Sequence, residues 1–178
     1  MNMETTAPSV QKKSKISVRK LVLSAMLGGL AFVLNTFVYF PAMAPFQHFV
    51  DVIAAVLVGP WYACAAAALC GILRMLSGRS IQALVGAIFG PILGGLIYKK
   101  TKNIWLVWIG EVLGTGILGA LTAYPLMRLF YGLPPHEWWY YVPFYIPSAC
   151  VGAAMGVAVM LLLKRTGVLR QMQNQLAQ

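Results

Sequence analysis

Apolar and polar positions along this chain fall into long blocks rather than alternating. Met1 to Ser17 are polar and weakly patterned, as an unstructured tail would be. Arg19-Lys20 then leads into an apolar run from Leu21 to about Phe40. The Ala42-Met43-Ala44 that follows has the A-x-A form of a signal cleavage site. A signal core is usually about 7–15 residues, whereas this run is long enough for a bilayer, so a retained first helix is expected. A second run begins near Phe46 and stops at Gly59-Pro60, and a third starts at Trp61, passes through Ala63–Ala68 and ends near Ser77. The fourth spans Ile81 to Tyr98 and is closed by Lys99-Lys100. The fifth starts near Ile104 and extends to about Leu129, with Pro125 near its end. The sixth covers about Val142 to Leu163, with Lys164-Arg165 after it. Thr166 to Gln178 is polar and suits a short surface helix. The pattern predicts an all-α integral membrane bundle of six transmembrane helices. A tail over residues 1–18 precedes the bundle of 19–165, and a second tail covers 166–178. Runs two and three are short and tightly joined, so one re-entrant pair is the alternative to two spans.

Composition narrows the class. Of 178 residues, 60% are hydrophobic and 10% charged, against about 45–50% and about 25% in soluble domains. A chain this small could not bury so much apolar surface in water. A soluble enzyme, a disordered protein and a free nucleic-acid binder are thereby excluded, and the lipid bilayer is the expected solvent. The net charge of +10 is carried mostly by basic residues flanking apolar runs. Lys12, Lys13, Lys15, Arg19 and Lys20 precede run one, Lys99, Lys100 and Lys102 follow run four, and Lys164, Arg165 and Arg170 follow run six. With six spans, cytoplasmic termini place all of these inside. Arg74, Arg79 and Arg128 are left on the outer side and require another reason. Cys64, Cys70 and Cys150 lie inside apolar runs without metal-type spacing and read as inert thiols.

Small residues recur four apart at Ala25/Gly29, Gly86/Gly90/Gly94, Gly110/Gly114 and Gly152/Gly156. That spacing lets helix backbones approach closely, within a bundle or against a partner. There is no P-loop, no H-E-x-x-H and no G-x-S-x-G. Two histidines, His48 and His136, form no metal motif with any cysteine. No catalytic residue, metal or cofactor is expected, and the chain reads as a non-enzyme.

What remains is a sparse set of polar groups in apolar helices, which are functional candidates by default. His48 and Asp51 are three apart at the start of run two, with Gln47 beside them. Arg74 is near the end of run three, at a depth expected to match Asp51, so both an Asp51–Arg74 ion pair and a ligand role are open. Glu111 is followed by Gly114, Thr115, Leu118 and Thr122 on a small, polar face expected to point into the bundle. Asn35 and Tyr145 complete the set. Trp138, Trp139, Tyr140 and Tyr141 are either an interfacial aromatic belt or a lid over a flat ring, with Phe46–Phe49 as its opposite wall. An outward pocket with aromatic walls and few ionisable groups suits a small heteroaromatic nutrient.

The run Pro45-Phe-Gln-His-Phe-Val-Asp-Val-Ile-Ala-Ala-Val-Leu-Val-Gly-Pro-Trp-Tyr62 resembles the ThiW family of S components, the substrate-binding membrane subunits of energy-coupling-factor (ECF) vitamin transporters. Leu73-Arg74, Gly86-Ala-Ile-Phe-Gly90 with Leu96-Ile-Tyr-Lys99, and Gly110-Glu-Val-Leu-Gly-Thr-Gly116 add to the resemblance, which runs from Leu21 to Arg165. It implies a multi-pass protein of the bacterial plasma membrane that captures the thiazole moiety of thiamine, hydroxyethylthiazole, at the outer face. It also implies a membrane coupling subunit with two cytosolic ATPases as partner. The docking face implied on helix one reads Ala25-Met-Leu-Gly-Gly29, with Ser24 and Gly28 beside it. S components for thiamine or riboflavin, and a small membrane enzyme or assembly factor using His48, Asp51 and Glu111 as acid–base groups, are the competing classes.

Overall fold

The computed structural model describes residues 16–38 and 44–177. The expected N-terminal tail before Ile16 and the Ala42-Met43 part of the A-x-A sequence lie outside these residues. The described chain is entirely helical: α1 (Val18–Phe37), α2 (Pro45–Leu57), α3 (Pro60–Leu76), α4 (Gln82–Thr101), α5 (Ile104–Tyr131), α6 (Val142–Arg165) and α7 (Val168–Ala177). The helix starts follow local chemistry. Ser17 and Asn103 accept backbone N–H bonds at the starts of α1 and α5, and prolines open α2 and α3, where a missing N–H costs nothing. The turn between α2 and α3 is made by Gly59 at φ 87°, a left-handed value that favours glycine. A Cβ on Gly95 would lie 2.6 Å from Pro60 Cα, so α4 closes directly on that turn.

Four helices, α1, α4, α5 and α6, are long and apolar enough to cross a membrane. The expectation of six comparable spans meets two shorter apolar helices, α2 and α3. The 13 residues of α2 reach about 20 Å, against a hydrocarbon core of about 30 Å. Its position compensates. α2 packs on every other helix of the bundle, so protein rather than lipid surrounds its ends. Glycines make this possible: a Cβ on Gly156 of α6 would sit 2.8 Å from Phe49 O, and one on Gly152 would come closer still to Pro45 O and 2.9 Å from His48 Cβ. The Gly86/Gly90/Gly94 series of α4 likewise meets Gly110, Gly114 and Gly119 of α5. Backbone-to-backbone packing of small residues is the expected cohesion where lipid removes the hydrophobic drive between helices.

α5 is not a regular α-helix. Gly114–Gly119 forms a π turn, which fits one surplus residue into the helix. Before it, Val107 and Glu111 face inward. After it, Gly119, Ala123 and Met127 are buried while Leu118 is exposed. This corrects the inward face expected at Leu118 and Thr122. Both belong to an unbroken 3.6-residue period, and Thr122 instead bonds back to Leu118 O and Gly119 O.

Both ends of the described chain meet at one end of the bundle, the proximal end. α7 lies across it: Gln173 donates to Val56 O and Tyr98 Oη, Arg19 donates to Gln175 O, and Leu169 is buried. The opposite, distal end is formed by the α3–α4 and α5–α6 connections and the start of α2.

Candidate functional site

A cavity of about 230 Å³ opens at the distal end, and all six apolar helices contribute to its wall. α1 provides Asn35, α2 provides Gln47 and His48, and α3 provides Arg74. Gln82 and Gly86 come from α4 and Thr115 from α5. Phe144, Tyr145 and Ser148 come from α6, and Arg79 and Ser80 from the α3–α4 connection. Gly86 sets the depth of the wall, since a Cβ there would lie 2.5 Å from Tyr145 Cε1. Ser148 Oγ accepts from Ala44 N at 2.9 Å, fastening the entry to α2 against α6.

Beneath this cavity lies a buried polar cluster. His48 Nδ1 is 3.1 Å from Glu111 Oε1, and Thr115 Oγ1 donates to the same oxygen at 3.0 Å. Gln47 Nε2 donates to Asp51 Oδ1 at 3.4 Å, and Cys70 Sγ donates to Gln47 Oε1 at 2.7 Å. Asp51 and Glu111 are 1% and 0% exposed. Their second oxygens, Asp51 Oδ2 and Glu111 Oε2, have no hydrogen-bond partner. One ligand atom each from His48, Asp51 and Glu111 lies within 4.8 Å of the others. The sequence has no metal motif, yet the fold assembles a donor set of one imidazole and two carboxylates from helices some sixty positions apart, His48 and Glu111 being separated by 63.

Five of the sequence candidates, Asn35, Gln47, His48, Arg74 and Tyr145, share the cavity wall. Asp51 and Glu111 are placed behind it. The expected Asp51–Arg74 pair is not formed; the close contact between a basic and an acidic side chain among the described residues is the hydrogen-bonded His48–Glu111 pair. The reason is depth. From the shared turn at Gly59, Asp51 lies about two helical turns up α2 and Arg74 about four turns up α3, leaving them about 10 Å apart along the bundle. Trp138 is 63% exposed and outside the cavity. The loop aromatics instead stack on one another, with His136 on Tyr140 at 4.4 Å and Tyr140 edge-on to Tyr141 at 5.1 Å. Phe144 and Tyr145, one turn further on, provide the aromatic wall. Ser80, Phe144 and Ser148 are not among the sequence candidates; Phe144 and Ser148 follow Tyr141 at helical spacing, and Ser80 adjoins Arg79 in the α3–α4 connection.

The helix-one residues divide. Ser24 and Gly28 are buried, Gly28 against Ala66 O and Leu69 of α3. Ala25 is exposed and nothing lies within 4 Å of a Cβ on Gly29. The four therefore do not make one surface.

An apolar helical bundle enclosing a small polar cavity is the form of a multi-pass membrane protein that handles a small solute. A family model described as "Thiamine-precursor transporter protein (ThiW)" matches residues 21–166, and the chain belongs to that family. No curated protein and no solved structure matches it.

Proposed function

We propose that this member of the thiamine-precursor transporter family is the substrate-binding S component of an ECF-type importer, and that its ligand is hydroxyethylthiazole. The observation that carries this reading is the cavity of about 230 Å³ with its mixed lining. Drug-sized pockets start near 300 Å³, so the space favours a single ring with a short side chain over a tricyclic flavin. Phe144 and Tyr145 offer ring faces, while Asn35, Gln47, His48 and Gln82 offer groups for a ring nitrogen and a hydroxyl. Arg74 and Arg79 also reach the cavity and form no ion pair among the described residues. That favours, as a second reading, the phosphate ester of the same thiazole.

In this reading the distal end faces outward in the bacterial plasma membrane and both termini are cytoplasmic, with Lys99, Lys100, Lys102, Lys164, Arg165 and Arg170 inside. The chain carries no nucleotide-binding motif, so a coupling subunit with two cytosolic ATPases supplies the energy. The outward side of α1 around Ala25 and Gly29 is the docking face, with Gly28 packed on α3 and Ser24 buried behind it.

Calorimetry on the purified chain in detergent tests the ligand. Hydroxyethylthiazole or its phosphate should bind stoichiometrically, be recovered unchanged, and outcompete thiamine and riboflavin. Tighter binding of either vitamin would overturn the substrate assignment, and chemical turnover would overturn the binder reading. A reporter fused after Gln178 should read cytoplasmic.

A further inference from the structure

We propose that His48, Asp51 and Glu111 form a site for one divalent transition-metal ion of the zinc class at the floor of the cavity. The transport reading does not require it and does not supply it. Two buried carboxyl groups, from α2 and α5, and one His48 nitrogen each bring a ligand atom within 4.8 Å of the others. Metal–ligand bonds of about 2.0–2.2 Å put ligand atoms about 3.5 Å apart, so the set closes on an ion with a movement of about 1 Å.

The hydrogen bonding of the carboxylates is arranged for this. On each, one oxygen is already engaged: Asp51 Oδ1 by Gln47, and Glu111 Oε1 by Thr115 and by His48 Nδ1, which leaves His48 Nε2 as its other ring nitrogen. The other oxygen, Asp51 Oδ2 or Glu111 Oε2, is buried without a partner. Outer groups that fix one atom of a carboxylate and leave the next free are how proteins orient metal ligands. Gln47 is itself fixed by Cys70 Sγ, so the support extends to α3. Charge selects the ion. As metal ligands, two deprotonated carboxylates and a neutral imidazole would carry −2, and a divalent cation would make the group neutral inside an apolar bundle, where an uncompensated charge is most costly. One nitrogen and two carboxylate oxygens suit zinc, cobalt or manganese. Three protein ligands leave a position open, and His48 and Thr115 both line the cavity, so that position faces the solute.

The test uses untagged, EDTA-stripped full-length protein in detergent, titrated with Co²⁺ alone and then Zn²⁺. One Co²⁺ per chain, with visible d–d absorption abolished by Zn²⁺, is expected. Asp51→Asn and Glu111→Gln should each weaken binding beyond the roughly 10–100-fold that loss of an outer-shell partner causes, and Thr115→Val should fall within that range. His136→Ala should leave it unchanged. Circular dichroism and gel filtration identify variants that fail to fold, and the wild-type titration decides without them. Absence of stoichiometric Co²⁺ binding in the wild type, or its retention in folded Asp51→Asn and Glu111→Gln, overturns the site. Hydroxyethylthiazole binding in the same wild-type preparation separates the two proposals. Thiazole binding without Co²⁺ removes the metal site alone, and Co²⁺ binding without thiazole removes the substrate assignment alone.

Discussion

α1 and α2 are both apolar runs, one longer and one shorter, and the fold uses them in opposite ways. Ten of the 13 residues of α2 are buried, against four of the 20 in α1. α2 carries Gln47, His48 and Asp51 into the centre of the bundle. α1 turns Leu21, Val22, Met26, Leu30, Val33 and Phe37 outward. Hydrophobicity marks both as membrane segments, and only the polar positions tell which one is enclosed. A charged side chain is affordable where neighbouring helices supply partners, as they do around α2.

The largest test of this contrast replaces a glycine on each side of it. Gly152→Leu drives a side chain into Pro45 and His48 at the start of α2 and should abolish recovery of monodisperse protein. Gly29→Leu meets nothing within 4 Å and should leave the gel-filtration profile and melting temperature unchanged. Equal loss in both would show that α1 is as enclosed as α2. Next comes the buried pair. His48→Ala or Glu111→Ala removes one partner of a buried hydrogen bond, at about 1–3 kcal/mol, and the double substitution should cost clearly less than the sum in denaturant titrations. An Asp51→Asn/Arg74→Gln cycle should show a smaller coupling than the His48/Glu111 cycle, because Arg74 acts on Asp51 only through space and not through a hydrogen bond.

A subtler effect concerns the outer face of α1. Ala25→Leu and Gly29→Leu should preserve solute binding by the isolated chain and abolish ATP-driven uptake in vesicles reconstituted with the coupling module. Gly28→Leu, by contrast, should lower stability and binding together, since a Cβ there already lies 2.6 Å from Ala66 O. Normal uptake in folded Ala25→Leu and Gly29→Leu would remove α1 as the docking surface. The smallest effect is expected for Trp138→Ala. It is exposed and outside the cavity, so stability should change by no more than about 0.5 kcal/mol and binding should not change measurably.

The fold was legible where one physical rule dominated. Apolar runs bounded by Lys-Lys, Gly-Pro or Lys-Arg predicted α3, α4 and α6 to within a few residues, because lipid demands uninterrupted apolar length. Asn35, His48 and Arg74 stand out by their cost in an apolar helix, and the structure places them on one cavity wall with Gln47 and Tyr145. Contacts between helices were not legible, because the sequence gives no relative depth. The hairpin pattern alone puts Asp51 and Arg74 level, whereas α3 rises further than α2, and the His48–Glu111 bond joins helices that no local pattern relates. The register beyond Gly114 was lost for a third reason. Nothing in Gly114-Thr-Gly-Ile-Leu-Gly119 announces a π turn, although its three glycines permit one.

That π turn has a consequence at the level of heredity. Loss of a single codon within a membrane helix ordinarily rotates everything downstream by about 100°, turning buried faces to lipid. Between Gly114 and Gly119 the same loss removes the surplus residue and restores a regular helix. Glu111 on one side and Ala123 and Met127 on the other keep the directions they already have. The segment beside the most buried carboxylate of the protein is thus the place in its longest membrane helix where a shorter gene would still encode the same faces.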